Sequence, residues 1–101
     1  MNNIINSINI SGIVVDDSFS ITKASGASMQ VFRILIDGSF VDKRNGELHE
    51  RVASIKCNWY NGTELSAGDH VVISGKYAVT KSEEIVGQIY LHVHTLAFLN
   101  D

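Results

Sequence analysis

Residues 70–80 are HVVISGKYAVT, and this stretch carries the pattern that decides the fold. Val71 and Ile73 face one side of an extended chain, whereas Ser74 and Lys76 face the other. Alternation with a period of two is typical of a half-buried β-strand. The stretch therefore predicts a strand.

The same alternation recurs in four other segments. In SIKCNWY, Ile55, Cys57 and Trp59 share the face that we expect to be buried. Phe32 and Phe98 are predicted to join them in the core. The predicted strands cover residues 4–15, 28–37, 51–60, 70–80 and 87–99.

Glycine with Asn, Asp or Ser marks the connections, because the chain contains no proline. Residues 42–46 end in Asn-Gly, the strongest short hairpin signal. Further turns are predicted at 24–26, 61–63 and 83–87. Strands at this spacing predict an all-β protein, a small sandwich or barrel. A five-stranded Greek-key barrel, the OB-fold, is the natural way to close five strands and hide their edges. At most one short helical turn fits, within residues 63–67.

Length and composition predict a single domain over residues 1–101. The chain is 45% hydrophobic and 19% charged, which is typical of globular proteins. No apolar run is long enough for a bilayer, and the N-terminus lacks the features of a signal peptide. With Cys57 as the single cysteine, no intrachain disulfide forms. We therefore expect a cytoplasmic protein without a membrane segment.

The formal net charge of −3 counts against a nucleic-acid partner. Binding depends on where the charges lie, however, and a basic groove can coexist with an acidic rim. Whether this chain can bind nucleic acid therefore depends on where its cations lie.

Several short motifs follow one another along the chain. They are ISGIVVDD at 10–17, SGA at 25–27 with FRI at 32–34, NGE at 45–47, AGDHVVISGKY at 67–77, and GQ at 87–88 with LAFL at 96–99. In this order and spacing they resemble the bacterial single-stranded-DNA-binding (SSB) proteins, and AGDHVVISGKY is the most specific part. The resemblance spans nearly the whole chain.

The chain departs from the SSB pattern in three places. Residues 61–66 replace the helix between the third and fourth strands, and Ser54 and Ser82 stand where the family has stacking aromatics. The sequence ends at Asp101 without the acidic-tipped tail. This short form is also similar to primosomal proteins of the PriB type and to small SSB-like proteins of phages and mobile elements. The choice among them stays open.

The resemblance implies sequence-tolerant binding of single-stranded DNA in replication, replication restart or recombination, with no enzyme activity and no cofactor. Such binding needs aromatic faces for the bases and cations along the backbone. The resemblance places Phe40 and Tyr60 at stacking positions, and alternation places Arg33, Lys56 and Lys76 on outward strand faces. The candidate nucleic-acid-binding residues are Arg33, Phe40, Lys43, Arg44, Arg51, Lys56, Tyr60 and Lys76.

Each candidate also has a structural interpretation. Tyr60 fits a half-buried edge aromatic equally well, and Lys43 and Arg44 fit a solvated hairpin tip. His92 and His94 have the spacing of metal ligands, but the lack of an obvious third ligand favours surface histidines and no metal site.

A second function also fits the sequence: an OB-fold protein-interaction subunit of a replication or conjugation complex with little nucleic-acid affinity. Oligosaccharide binding is a third, since the fold alone does not determine the ligand. Convergence of Arg33, Lys56 and Lys76 would favour DNA, and interruption by acidic side chains would favour the interaction subunit. The long apolar first strand predicts a homo-oligomer, a dimer or tetramer, with replication or primosome proteins as further partners.

Overall fold

The computed structural model describes residues 6–80 and 88–99. These residues form β1 (Ile8–Val14), β2 (Phe19–Thr22), β3 (Ser28–Asp37), β4 (Phe40–Val41), β5 (Leu48–His49), β6 (Val52–Tyr60), β7 (His70–Val79) and β8 (Ile89–Phe98). The predicted strands correspond to β1, β3, β6, β7 and β8. The start of the first predicted strand and the predicted turn at 83–87 lie outside the described residues.

The five long strands close into a barrel. The sheet order is β1-β7-β8-β6-β3-β2, and β1 also pairs with β3 through Ile13–Leu35 and Val14–Ile34. At this seam a Cβ atom on Gly12 would lie 2.7 Å from the Leu35 carbonyl oxygen, so β1 and β3 approach closely only because residue 12 has no side chain. The predicted all-β, Greek-key OB-fold barrel is confirmed.

The inward faces of these strands form the core. Phe32 is 3% exposed, as predicted, and Trp59 packs half-buried against the core and over Gly62. Burial raises the pKa of the Cys57 thiol to about 12, so this side chain stays protonated and unreactive near neutral pH. The core prediction is wrong for Phe98, which pairs with buried Val71 but remains 47% exposed.

A loop without helix closes one end of the barrel. Residues 61–69, which include the predicted helical turn, contain no helix. Leu65 is 2% exposed and enters the core instead. The Leu65 backbone N–H donates to Ser18 Oγ at 2.8 Å, and the Ser18 N–H donates to the Leu65 carbonyl at 2.9 Å. The Leu65 side chain thus anchors this loop to the core.

Three short strands were not predicted. β2 pairs with β3 from Phe19–Val31 to Thr22–Ser28, and buried Gln30 accepts from Ser18 and donates to Ser20. β4 and β5 form a separate two-stranded ribbon around the predicted hairpin tip, where Gly46 has φ 73°. No helix able to cross a membrane occurs in the described part of the chain.

Candidate nucleic-acid interface

Strand pairing assembles one outward surface across β3, β6, β8 and β7. Arg33 lies directly opposite Lys56, while His92 pairs with Asn58 on one side and with Lys76 on the other. Because directly paired residues project from the same side of a sheet, these side chains share the outer surface. We call this surface the cationic face and define it by Arg33, Lys56, Tyr60, Lys76 and His92.

Arg33 is held in place by a serine. Its Nε donates to Ser54 Oγ at 3.2 Å, and its Nη2 donates to the Ser54 carbonyl at 3.4 Å. These bonds lay the guanidinium across β6 and leave further N–H donors free, since arginine carries five. Ser54, which replaces an aromatic residue of the SSB pattern, thus positions a cation in this chain.

Two clefts meet at the Arg33–Lys56 pair. The first measures 240 Å³ and has an apolar floor that includes Phe19 and Val31. The second measures 340 Å³ and is bordered by polar side chains and by Tyr90. Both clefts are lined by Arg33 and Lys56, so the two cations form a ridge between a surface suited to bases and one suited to a phosphate backbone.

Tyr60 is half-buried at the edge of the cationic face. The Lys23 Nζ lies 4.9 Å from the centre of its ring, and the His92 ring lies 5.8 Å away at an interplanar angle of 48°. A hydrogen bond to Tyr60 is the main cause that raises the pKa of Lys23. Tyr60 therefore combines an aromatic surface with a neighbouring cation, the pair that base stacking and phosphate contact require.

Sequence reasoning missed Lys23 and Tyr90. Lys23 follows β2 directly, so its placement depended on a strand that was not predicted. Tyr90 was available from the pattern, because it alternates with the buried residues Leu91 and Val93 on the last strand.

The other four candidates lie on or beside the β4–β5 hairpin. Phe40 stacks on His49 with ring centres 5.0 Å apart and an angle of 13°, and the Arg51 guanidinium lies 6.0 Å from the Phe40 ring. Lys43 and Arg44 are exposed at the tip. Among the described strands, β4 and β5 contact only each other, so the structure does not join this group to the cationic face.

Arg44 already has an anionic partner. Its Nη2 lies 3.2 Å from Asp42 Oδ2, and the interaction lowers the pKa of Asp42. This pairing supports the structural interpretation of the hairpin tip.

The cations converge in part. Arg33 and Lys56 are direct neighbours. Lys76 of β7 pairs with His92 of β8, and β7 lies two strand spacings, or about 10 Å, from β6. Within residues 6–80 and 88–99, no carboxylate forms an ion pair with any of the three. Asp16 and Asp17 line the first cleft together with Arg33 and Lys56, and Asp17 Oδ1 accepts a hydrogen bond from the Ala67 N–H.

His92 and His94 are in edge-to-face contact, with ring centres 5.1 Å apart. No group of three or more potential metal-binding side chains occurs among the residues that the structure describes.

Known structures share this fold. No protein-family model and no curated protein matches the sequence. The wild-type single-stranded DNA-binding protein from Thermus aquaticus superimposes with a TM-score of 0.82 at 12% identity over 95% of this chain and 50% of that chain. The chain thus spans about half the length of the Thermus protein.

Two further structures match over their full lengths. The Plasmodium falciparum SSB in complex with ssDNA gives a TM-score of 0.79 at 18% identity over 99% of this chain and 100% of that chain. The protein priB from Ralstonia solanacearum gives 0.68 at 13% identity over 95% and 100%, respectively. At this level of identity the similarity establishes the fold, and it confirms the SSB-like and PriB-like resemblance at that level.

Proposed function

We propose that this protein binds single-stranded DNA on its cationic face, without sequence preference, during replication, replication restart or recombination. The observation that carries the proposal is the direct pairing of Arg33 with Lys56 between two clefts, with the Tyr60–Lys23 pair on the same side of the barrel. Cations beside an aromatic surface fit a phosphate backbone with stacked bases. The structurally similar Plasmodium protein was captured with ssDNA.

The β4–β5 hairpin is proposed as a second contact. Phe40 is 51% exposed and lies near Arg51, so it offers a ring surface with a cation, and Lys43 adds a charge at the tip. Arg44 contributes less, because Asp42 compensates its charge. The hairpin would add affinity to the cationic face and would not replace it.

The interaction-subunit alternative is not favoured. That function would fit a surface interrupted by acidic side chains, whereas the described residues leave Arg33, Lys56 and Lys76 without ion pairs. Within the proposal the chain acts as a single cytoplasmic domain over residues 1–101, without catalytic activity or cofactor, and alongside replication or primosome proteins.

A homo-oligomer, a dimer or tetramer, is proposed as the working form. β3 pairs with β1 only at Ile13 and Val14, which leaves that edge of residues 8–12 without a strand partner in the described part of the chain. Ile13, Leu35 and Val52 line an apolar cleft beside this edge and are 42–57% exposed. An open edge next to exposed apolar side chains favours pairing with a second copy. A monomer mass by light scattering at micromolar concentration would contradict this.

Fluorescence anisotropy of a labelled dT 30-mer at two salt concentrations tests the binding function. We expect binding that weakens steeply with salt, together with poor competition by duplex DNA, because phosphate contacts release counterions and stacking needs unpaired bases. No binding at low salt and high micromolar protein would overturn the proposal in favour of the interaction subunit.

A further inference from the structure

A cluster of histidine and lysine side chains extends the cationic face beyond Tyr60. His92 on β8 contacts the Tyr60 ring on β6 and the His94 ring on its own strand. Lys76 on β7 lies opposite His92 in the strand pairing. Two imidazoles and an ammonium group therefore lie next to Tyr60, the proposed stacking residue, on the neighbouring strands β8 and β7.

The surroundings of His92 disfavour its protonation. Partial burial lowers its pKa, and the charges of His94 and Lys76 lower it further. The charged or titratable groups on the same face are Arg33 of β3, Lys56 and Tyr60 of β6, Lys76 of β7, Tyr90 and His94 of β8, and Lys23 beside Tyr60. None of these neighbours is a carboxylate, so within residues 6–80 and 88–99 no anion on this face stabilises an imidazolium.

Asn58 adds an independent observation. It pairs with His92 across β6 and β8, and its Oδ1 is buried without a hydrogen-bond partner. An unsatisfied buried acceptor costs about 1–3 kcal/mol. Neutral imidazole carries one N–H donor and imidazolium carries two, so protonation supplies an additional donor next to a group that lacks one.

We propose that His92 and His94 form a phosphate-binding site on the cationic face and take up a proton when single-stranded DNA binds. The inference rests on the proposed function. A phosphodiester placed between these rings and Lys76 brings the missing anion, and an opposite charge within about 4–6 Å favours the charged form of a histidine.

The direction of the pH effect follows from the two states. A bound phosphate raises the pKa of His92 in the complex above that in the free protein, so binding takes up protons between those two pKa values. Affinity therefore increases as the pH falls from about 8 to about 5. The histidine contribution is fully present below the pKa of the free protein and is lost above the pKa of the complex.

Calorimetric titration of the dT 30-mer at pH 6.5 tests this directly. Two buffers of different ionisation enthalpy and equal ionic strength report the protons exchanged. We expect uptake of about one proton per bound site, because an anion beside the rings favours imidazolium. His92→Gln and His94→Gln should each reduce this uptake, because each variant removes one imidazole from the site.

His70→Gln is the matched control, since His70 is exposed in the cleft that contains Ile13 and Leu35, away from the cationic face. It should leave proton uptake unchanged. Full uptake in the His92→Gln/His94→Gln double variant, or no uptake by the parent chain, would overturn this inference while DNA binding stands. Failure to bind the 30-mer at any pH would instead overturn the proposed function. If the double variant does not fold, proton uptake by the single variant His94→Gln tests the inference, because His94 is exposed.

Discussion

The barrel and the β4–β5 hairpin both present an aromatic ring near cations, but they hold these side chains by different means. On the barrel, Arg33 and Lys56 are placed by a continuous strand ladder from Met29–Tyr60 to Asp37–Val52. On the hairpin, Phe40 is placed by two residue pairs between β4 and β5. The barrel surface is therefore fixed by the whole fold, whereas the hairpin surface depends on local contacts.

This difference also affects the charges. Hairpin residue Arg44 turns back to Asp42, two positions away in sequence. The barrel cation Arg33 bonds to Ser54, which is neutral, and no carboxylate in the described part of the chain forms an ion pair with it. Local contacts satisfy charges within a turn, whereas long-range pairing brings like charges together. Such an arrangement suits an anionic ligand.

The largest expected effect concerns stability. Leu65→Ala should lower the free energy of unfolding by about 2–5 kcal/mol, because it opens a cavity where the loop enters the core. Leu48→Ala on the hairpin should change it by less than about 0.5 kcal/mol, because that side chain is 61% exposed. Urea denaturation of both variants measures the difference. Equal losses would mean that the hairpin is part of the cooperative fold.

The next effect concerns stacking. Tyr60→Ala should weaken binding of the dT 30-mer about tenfold, since a stacked base contributes about 1–3 kcal/mol. Tyr77→Ala is the matched control, because Tyr77 is 43% exposed and lies outside the cationic face. Anisotropy titrations compare them, and unchanged affinity for Tyr60→Ala would remove this residue from the site.

A smaller effect separates the two groups of cations. Lys56→Gln should reduce the slope of log affinity against log salt by about 0.7, the value for one lost phosphate contact on a single strand. Arg44→Gln should leave the slope nearly unchanged, because Asp42 already compensates that charge. The opposite ranking would place the principal phosphate contacts on the hairpin.

The smallest expected effect concerns the positioning of Arg33. Ser54→Ala removes the hydroxyl that accepts from Arg33 Nε but keeps the carbonyl that accepts from Nη2. We expect about a threefold loss of affinity, near the lower end of the range of about 0.5–1.5 kcal/mol for one hydrogen bond. Ser54→Thr retains the hydroxyl and should restore binding. A loss of affinity in both variants would mean that substitution at residue 54 disturbs strand β6, and not only the hydrogen bond to Arg33.

The sequence predicted the elements better than their assembly. Alternation located β3, β6 and β7 to within a residue or two, because burial on one face requires a period of two. Alternation shows on which side of a strand a side chain lies, but it does not show how far along the strand the core extends. Phe98 therefore pairs with a core residue and is still largely exposed.

Assembly also explains what the sequence left open at the candidate site. The Arg33–Lys56 pairing depends on a strand register that a single strand does not specify. The placement of Lys23 over Tyr60 depends on β2, which was missed. The contact between His92 and Tyr60 crosses a parallel pair of strands distant in sequence. The sequence shows which residue types are present, but the neighbours of each side chain depend on how the strands pair in the barrel.

Backbone amide chemical shifts, recorded while a short dT oligomer is titrated into the labelled protein, show directly whether DNA binds on the cationic face. We expect the largest shifts in β3, β6 and β8, around Arg33, Lys56 and His92, with smaller shifts in the hairpin. Shifts confined to the hairpin, or to the apolar cleft beside Ile13, would contradict the assignment of DNA binding to the cationic face.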